Sequence, residues 1–156
     1  MARELFQIDS LTSNILYQKY GCLLSRGAVS INVRRGDFLS CQDYHPVCTL
    51  DYFNKAIVLI GRQRDFLITS DDLPWCKTHF KGANFHFADR TDPVENLYLQ
   101  SLCTDHILSN STFSWWGAWL NPDTLKTVVA PRKWFGPKDS DKDTTDLLPK
   151  NWIQIY

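Results

Sequence analysis

Two arginines, a glycine and an aspartate follow directly on an apolar run in A-V-S-I-N-V-R-R-G-D-F, residues 28 to 38. A guanidinium keeps its charge at any physiological pH and offers paired N–H donors to phosphate oxygens, so Arg34 and Arg35 at a strand end suit a diphosphate. Neighbouring strand residues point to opposite sides, which gives the two arginines different jobs. One can meet a ligand while the other is held by Asp37, with Gly36 allowing a tight turn. The plainer reading is an Arg–Asp clamp that closes a loop, and the stretch alone leaves both open. An adhesion role for R-G-D finds no support elsewhere in the chain.

A second cluster is F-L-I-T-S-D-D-L-P-W-C-K, where Asp71 and Asp72 directly follow another strand-like run. Capping of the next helix by Ser70 or Asp71 accounts for such carboxylates without any ligand. A metal site would need a third carboxylate or a histidine at suitable spacing, and none stands there. The third cluster is D-H-I-L-S-N-S-T-F-S-W-W-G-A-W-L, residues 105 to 120. Asn110, Ser111, Thr112 and Ser114 offer caps for a helix whose first-turn N–H groups form an anion pocket. Trp115 and Trp119 share a helix face and Trp116 is turned by about 100°; this stripe reads as core packing rather than sugar stacking. Two phosphate-suited elements point to a nucleoside diphosphate. The G-x-G-x-x-G and G-K-[ST] phosphate loops are absent. Arginine and a helix N-terminus can neutralise a leaving diphosphate themselves, so neither metal nor cofactor is expected.

Short strand-like runs at 29 to 33, 66 to 70, 84 to 88, 106 to 110 and 127 to 130 must position these residues. Helical patterns follow Thr49, Asp71, Pro93 and Thr112, and the apolar spacing from 4 to 25 predicts one or two further helices. Alternating strands and helices predict an α/β fold, a Rossmann-like, mostly parallel sheet with helices on both faces. Ligands of such sheets sit outside the carboxyl ends of the strands, where all three clusters fall. Beyond Pro131 a polar, Pro/Gly-punctuated excursion closes with W-I-Q-I-Y.

At 156 residues and 44% hydrophobic, the chain is expected to form a single domain over 1–156, with 1–25 as an N-terminal helical segment. Seventeen basic residues balance seventeen acidic ones, which argues against a nucleic-acid partner. Five cysteines without C-x-x-C spacing suit a reduced compartment. The N-terminus lacks the apolar stretch of a signal peptide, and no run approaches the ~18 apolar residues of a membrane span. A cytoplasmic location, at most peripheral to a membrane, is expected. His45, His79, His86 and His106 fit no shared motif and read as surface or satisfied side chains.

V-S-I-N-V-R-R-G-D-F, S-D-D-L-P-W-C-K and I-L-S-N-S-T-F-S-W-W-G-A-W-L, in this order, resemble the three signature segments of the α-1,2-fucosyltransferases, which carry an H-x-R-R-G-D motif. V-V-A-P-R-K-W-F, residues 128 to 135, is similar to the segment that follows them. The resemblance implies inverting, metal-independent transfer of fucose from GDP-fucose to the 2-hydroxyl of an acceptor galactoside. It also implies a GT-B-like fold of two Rossmann-like domains, the C-terminal one holding the donor. By it, Arg34 contacts the β-phosphate, Arg35 serves structure or a second contact, and Asp37 is the motif acid. Ser111 and Ser114, with Asn110, border the phosphates, and Glu95 or Asn96 reads guanine. Asp71 and Asp72 form the second motif. Asn32 stands where the motif has histidine; an amide hydrogen-bonds but carries no charge, so tuning rather than inactivation is expected.

The family's N-terminal, acceptor-side half has no counterpart before Met1, so the chain is expected to be one half of the GT-B-like fold, with a partner chain or a second copy completing the cleft. The catalytic base is unassigned: Asp43 reads as a solvated loop residue. Two other readings are a GDP-sugar-binding domain without catalysis, and a lectin-like module using its six tryptophans.

Overall fold

All five residues of V-S-I-N-V are buried, as a strand covered on both faces requires. In the computed structural model, which describes residues 2–89 and 92–156, this strand, β1 (Val29–Val33), lies inside a six-stranded parallel sheet. The other strands are β2 (Phe66–Ser70), β3 (Phe85–Phe87), β4 (Asp105–Ile107), β5 (Val128–Pro131) and β6 (Ile153–Ile155), in the spatial order β3-β2-β1-β4-β5-β6. The sheet is parallel throughout, and the closing W-I-Q-I-Y supplies its last strand beside β5. Strand β4 stops at Ile107, short of the expected 110, because Ser109 and Asn110 leave the ladder to build a loop.

Helices follow the strands as the patterns predict. They are α1 (Ala2–Leu5), α2 (Ser10–Ser25), α3 (Leu50–Ile60), α4 (Leu73–His79), α5 (Pro93–Ser101) and α6 (Thr112–Leu120). Asp9, Thr49, Asp72 and Asp92 each accept an N–H from the first turn of the helix they precede. No helix among the described residues is long and apolar enough to cross a membrane.

Alternation along the strands divides the core. Val29, Ile31, Val33, Phe66, Ile68, Ile107 and Val129 face α3 and α4, packing with Phe53, Ile57 and Phe80. On the other face Leu67 meets α2 and α5 through Leu16, Leu24 and Leu99, while Leu108, Val128 and Ala130 meet α6. Fully buried side chains such as Phe53, Leu67 and Leu99 each contribute roughly 1.5–3 kcal/mol through burial. Trp115 and Trp119 stack at 6.0 Å and 12° beside Trp152 in this core, as their shared face implies. Trp116 turns outward against Phe6.

The order 3-2-1-4-5-6 places a topological switch point between β1 and β4, which part company at their carboxyl ends. The loops that carry the three residue clusters leave the sheet on that edge.

Candidate functional site

The switch point opens into a cavity of about 640 Å³. One wall comes from the ends of β1 and β2, with Asn32, Arg34, Thr69 and Asp71. The opposite wall is the β4–α6 loop, with Asn110, Ser111, Thr112 and Phe113. Phe38 and His45 on one side and Trp134, Phe135 and Leu147 on the other complete it, and Asn96 reaches it from α5.

The two arginines part as strand alternation demands, in a different arrangement from the one expected. Arg34 lines the cavity and is itself the arginine held by Asp37, at 2.7 Å, with Asp71 at 3.3 Å. Arg35 is tied to Asp72 at 3.1 Å and lies 4.0 Å above the Trp75 ring, outside the cavity lining. A guanidinium has more N–H donors than the two ion pairs of Arg34 consume, so it can also bind an anion. Clamp and ligand contact are therefore compatible in one side chain.

Asp71 and Asp72 also divide their work. Asp72 is the helix cap, accepting from the Trp75 N–H at 3.1 Å. Asp71 accepts from the backbone N–H of Arg35 at 2.9 Å, reaching across from the neighbouring strand end. Gly36 leaves room for it: a Cβ there would stand 2.5 Å from the Asp71 carboxylate. The glycine thus serves close approach, where the sequence suggested only a turn.

Asn32 is buried on the face that bears Thr69 and donates to its hydroxyl at 3.0 Å, as the register Asn32↔Thr69 allows. Across the cavity, Asn110 donates to the Trp134 carbonyl at 2.9 Å, and the Cys48 thiol lies 3.5 Å from its amide oxygen. Burial pushes that thiol up to about 11, so it stays protonated. Tyr52, whose hydroxyl burial raises well above its usual range, donates to the Leu108 carbonyl at 2.6 Å and fixes the root of the loop. Ser111 caps α6 without a side-chain bond to its first turn, and Ser111, Thr112 and Phe113 at this helix start line the cavity. α6 therefore presents the positive end of its dipole there.

Ser114 and Glu95 do not line the cavity. Ser114 is fully buried and its hydroxyl donates to the carbonyls of Ser109 and Ser111, so it braces the loop from behind. Glu95 turns toward α2 and meets Lys19 at 3.6 Å, while its neighbour Asn96 faces the cavity. Asp43 pairs with Lys138 at 3.2 Å on the surface. For Ser114 and Glu95 this follows from which side of the helix faces the sheet edge.

Two groups of lining residues were given no place in the site by the sequence. His45 stacks on Phe38 at 4.9 Å and lines the cavity, where a surface or satisfied role was expected. The other histidines lie elsewhere: His79 stacks on Trp75, His86 bonds Asp65, and His106 is buried in β4. The polar excursion beyond Pro131 folds back as a wall. The Gly136 N–H donates to the Tyr44 carbonyl at 2.7 Å, and a Cβ at Gly136 would collide with the Asp43 carbonyl. Trp134 and Phe135 stand in the V-V-A-P-R-K-W-F segment that resembles the family's, but nothing in that segment shows that it folds back onto the cavity.

The arrangement is suited to hold a polyanion between a guanidinium and a helix N-terminus, with aromatic surface beside it for a ring. The profile of "Glycosyl transferase family 11" matches residues 8–156. The chain is 33% identical over 170 aligned positions to the O-antigen biosynthesis glycosyltransferase WbnK of Escherichia coli, covering 99% of this chain and 55% of the relative. It is also 33% identical over 140 positions to an alpha-1,2-colitosyltransferase of Escherichia coli, covering 82% of this chain and 47% of the relative. The chain thus spans about half the length of the curated relatives it matches. No solved structure matches it. With almost its whole length inside the family profile, the chain belongs to glycosyl transferase family 11, the α-1,2-fucosyltransferase family that its motif segments resemble.

Proposed function

We propose that this chain is the donor-binding half of an inverting glycosyltransferase that uses GDP-fucose and passes fucose to the 2-hydroxyl of a galactoside. The observation that carries this reading is the convergence of Arg34 and the α6 N-terminus on one cavity at the β1/β4 switch point. The diphosphate lies between them, with Arg34 at the β-phosphate and the Thr112 and Phe113 N–H groups opposite. The guanine ring lies against the aromatic side of the cavity, where Asn96 offers an amide for its edge. Arg35 and Asp72 hold the loop, and Asp37 and Asp71 orient Arg34.

In the transfer, the bond between the fucose anomeric carbon and the β-phosphate oxygen breaks and its electron pair leaves with GDP. The acceptor oxygen bonds to that carbon from the opposite face and loses its proton. This chain's share is the leaving-group side. The charge of Arg34 and the helix dipole stabilise the negative charge that grows on the β-phosphate, a task that needs no metal when such groups are preorganised. The acceptor is held by a second unit that closes over the same edge.

Calorimetric titration with GDP-fucose in metal-free buffer tests the reading, with ADP, free galactosides and Arg34→Ala as controls. Saturable binding of GDP-fucose, absent with ADP and weakened about a hundredfold in the variant, is expected. Binding of free galactosides with indifference to GDP-fucose would show a lectin instead, and indifference of the folded chain to both would refute the donor site. Release of fucose to lactose by the chain or its assembly separates an enzyme from a binding domain.

A further inference from the structure

We infer that Ser109 is the positioning residue that fixes Arg34 on the cavity wall; the inference rests on the diphosphate reading above. The β1–β4 ladder ends at the pair Ile31↔Ile107. A parallel ladder continuing opposite Val33 would have to engage the C=O of Asn32 and the N–H of Arg34, the groups that flank that residue. Both are engaged by one side chain. The Ser109 hydroxyl donates to the Asn32 carbonyl at 2.7 Å and accepts from the Arg34 N–H at 3.0 Å, and Ser109 is fully buried.

A hydroxyl can do this because it is donor and acceptor at once. It substitutes for a missing strand residue. The backbone of Ser109 is thereby released to turn, and its carbonyl accepts instead from the Ser111 N–H at 2.8 Å and the Ser114 hydroxyl at 3.0 Å, starting the loop into α6. One side chain thus keeps β1 extended through Arg34 while letting β4 break away, and it sets the gap between the guanidinium and the helix N-terminus. Without it a part-buried N–H is left unpaired and Arg34 loses its anchor.

The test is a double-mutant cycle on GDP affinity with the variants Ser109→Ala, Arg34→Ala and both together, each checked by thermal unfolding. Ser109→Ala is expected to weaken GDP about tenfold in the wild-type background and less than about twofold when Arg34 is already alanine. Ser109→Thr keeps the hydroxyl and is expected to restore most of the affinity. A merely structural serine would give the same factor in both backgrounds, and that outcome, or unchanged affinity in Ser109→Ala, overturns the inference while leaving the donor site standing. Should Ser109→Ala not fold, amide exchange in the wild-type chain decides: strong protection of the Arg34 N–H is expected, and exchange as fast as an open loop overturns the role. A folded wild-type chain that binds neither GDP nor GDP-fucose refutes the donor site and this role together.

Discussion

At the β1 and β2 ends of the cavity the anion donors are side-chain N–H groups: Arg34 stands on the lining with Arg35 behind it, both set among Asp37, Asp71 and Asp72. At the β4–α6 end there is no cation in the lining among the described residues, and the field comes from backbone N–H groups behind Ser111. The first wall is a network in which each carboxylate orients a guanidinium or a backbone N–H, so it depends on the identity of every member. The second depends on the direction of a helix, which Ser109, Ser114 and Tyr52 secure from below. Charge that a side chain supplies is lost with one substitution; the partial charge of a helix end survives side-chain changes unless the N–H itself is removed, and salt screens both.

That contrast can be broken most sharply at Arg34. Arg34→Ala is expected to lower GDP-fucose affinity about a hundredfold, the scale of lost charge-assisted bonds to a diphosphate, and calorimetry should show the remaining binding less sensitive to salt. If the loss is no larger than for a serine on the other wall, the division of labour is wrong.

His106, buried in β4 beneath the backbone-built wall, tests the same contrast through pH. Burial, with Lys126 adding repulsion, lowers its proton affinity to about 3, and the Asn121 amide lies 3.0 Å from its Nε2. The folded imidazole is therefore neutral. Because the unfolded chain takes up a proton near pH 6.5 and the folded one does not, stability is complete above that pH and declines as pH falls toward 3. The loss at pH 5 is about 2 kcal/mol. Urea unfolding at pH 7 and pH 5 measures it, and His106→Asn should flatten that decline; an unchanged slope would mean that His106 is not the source.

Thr112→Pro probes the helix itself. Thr112 is the first residue of α6 and Ser111 before it is extended, so proline fits the helix start while deleting one N–H. Unfolding should be little changed and GDP-fucose affinity should fall about fivefold. The smallest effect is expected for Ser111→Ala, about twofold, since the wall is made by the backbone rather than by that hydroxyl; a loss comparable to that of Arg34→Ala would place Ser111 in direct contact with the phosphates.

Much of this architecture was legible in the chain. Four of the six strands lie within a residue of apolar runs that the sequence shows, and β4 starts within a residue of its run but ends three residues earlier, because parallel strands buried on both faces must be apolar and short. The shared face of Trp115 and Trp119 likewise followed from helix geometry alone. The roles of Arg34 and Arg35 were only half legible. Alternation required them to diverge, but which one faces the ligand depends on which side of β1 the cavity opens. Ser114 and Glu95 looked as suitable as Ser111 and Asn96, and the difference is a rotation about a helix axis that only packing sets.

The sequence by itself determined the α/β class, the edge where chemistry gathers and the family, since local periodicity, strand-end charge and ordered motifs are properties of neighbouring residues. Tertiary structure alone decided that Asp71 holds the Arg35 backbone, that Ser109 completes β1, and that His45, Trp134 and Phe135 wall the cavity. These contacts join residues 36 and 77 positions apart, or bring separate loops to one edge. Strand order and register create such contacts, and both are settled by how the helices cover the two faces of the sheet rather than by any local stretch of chain.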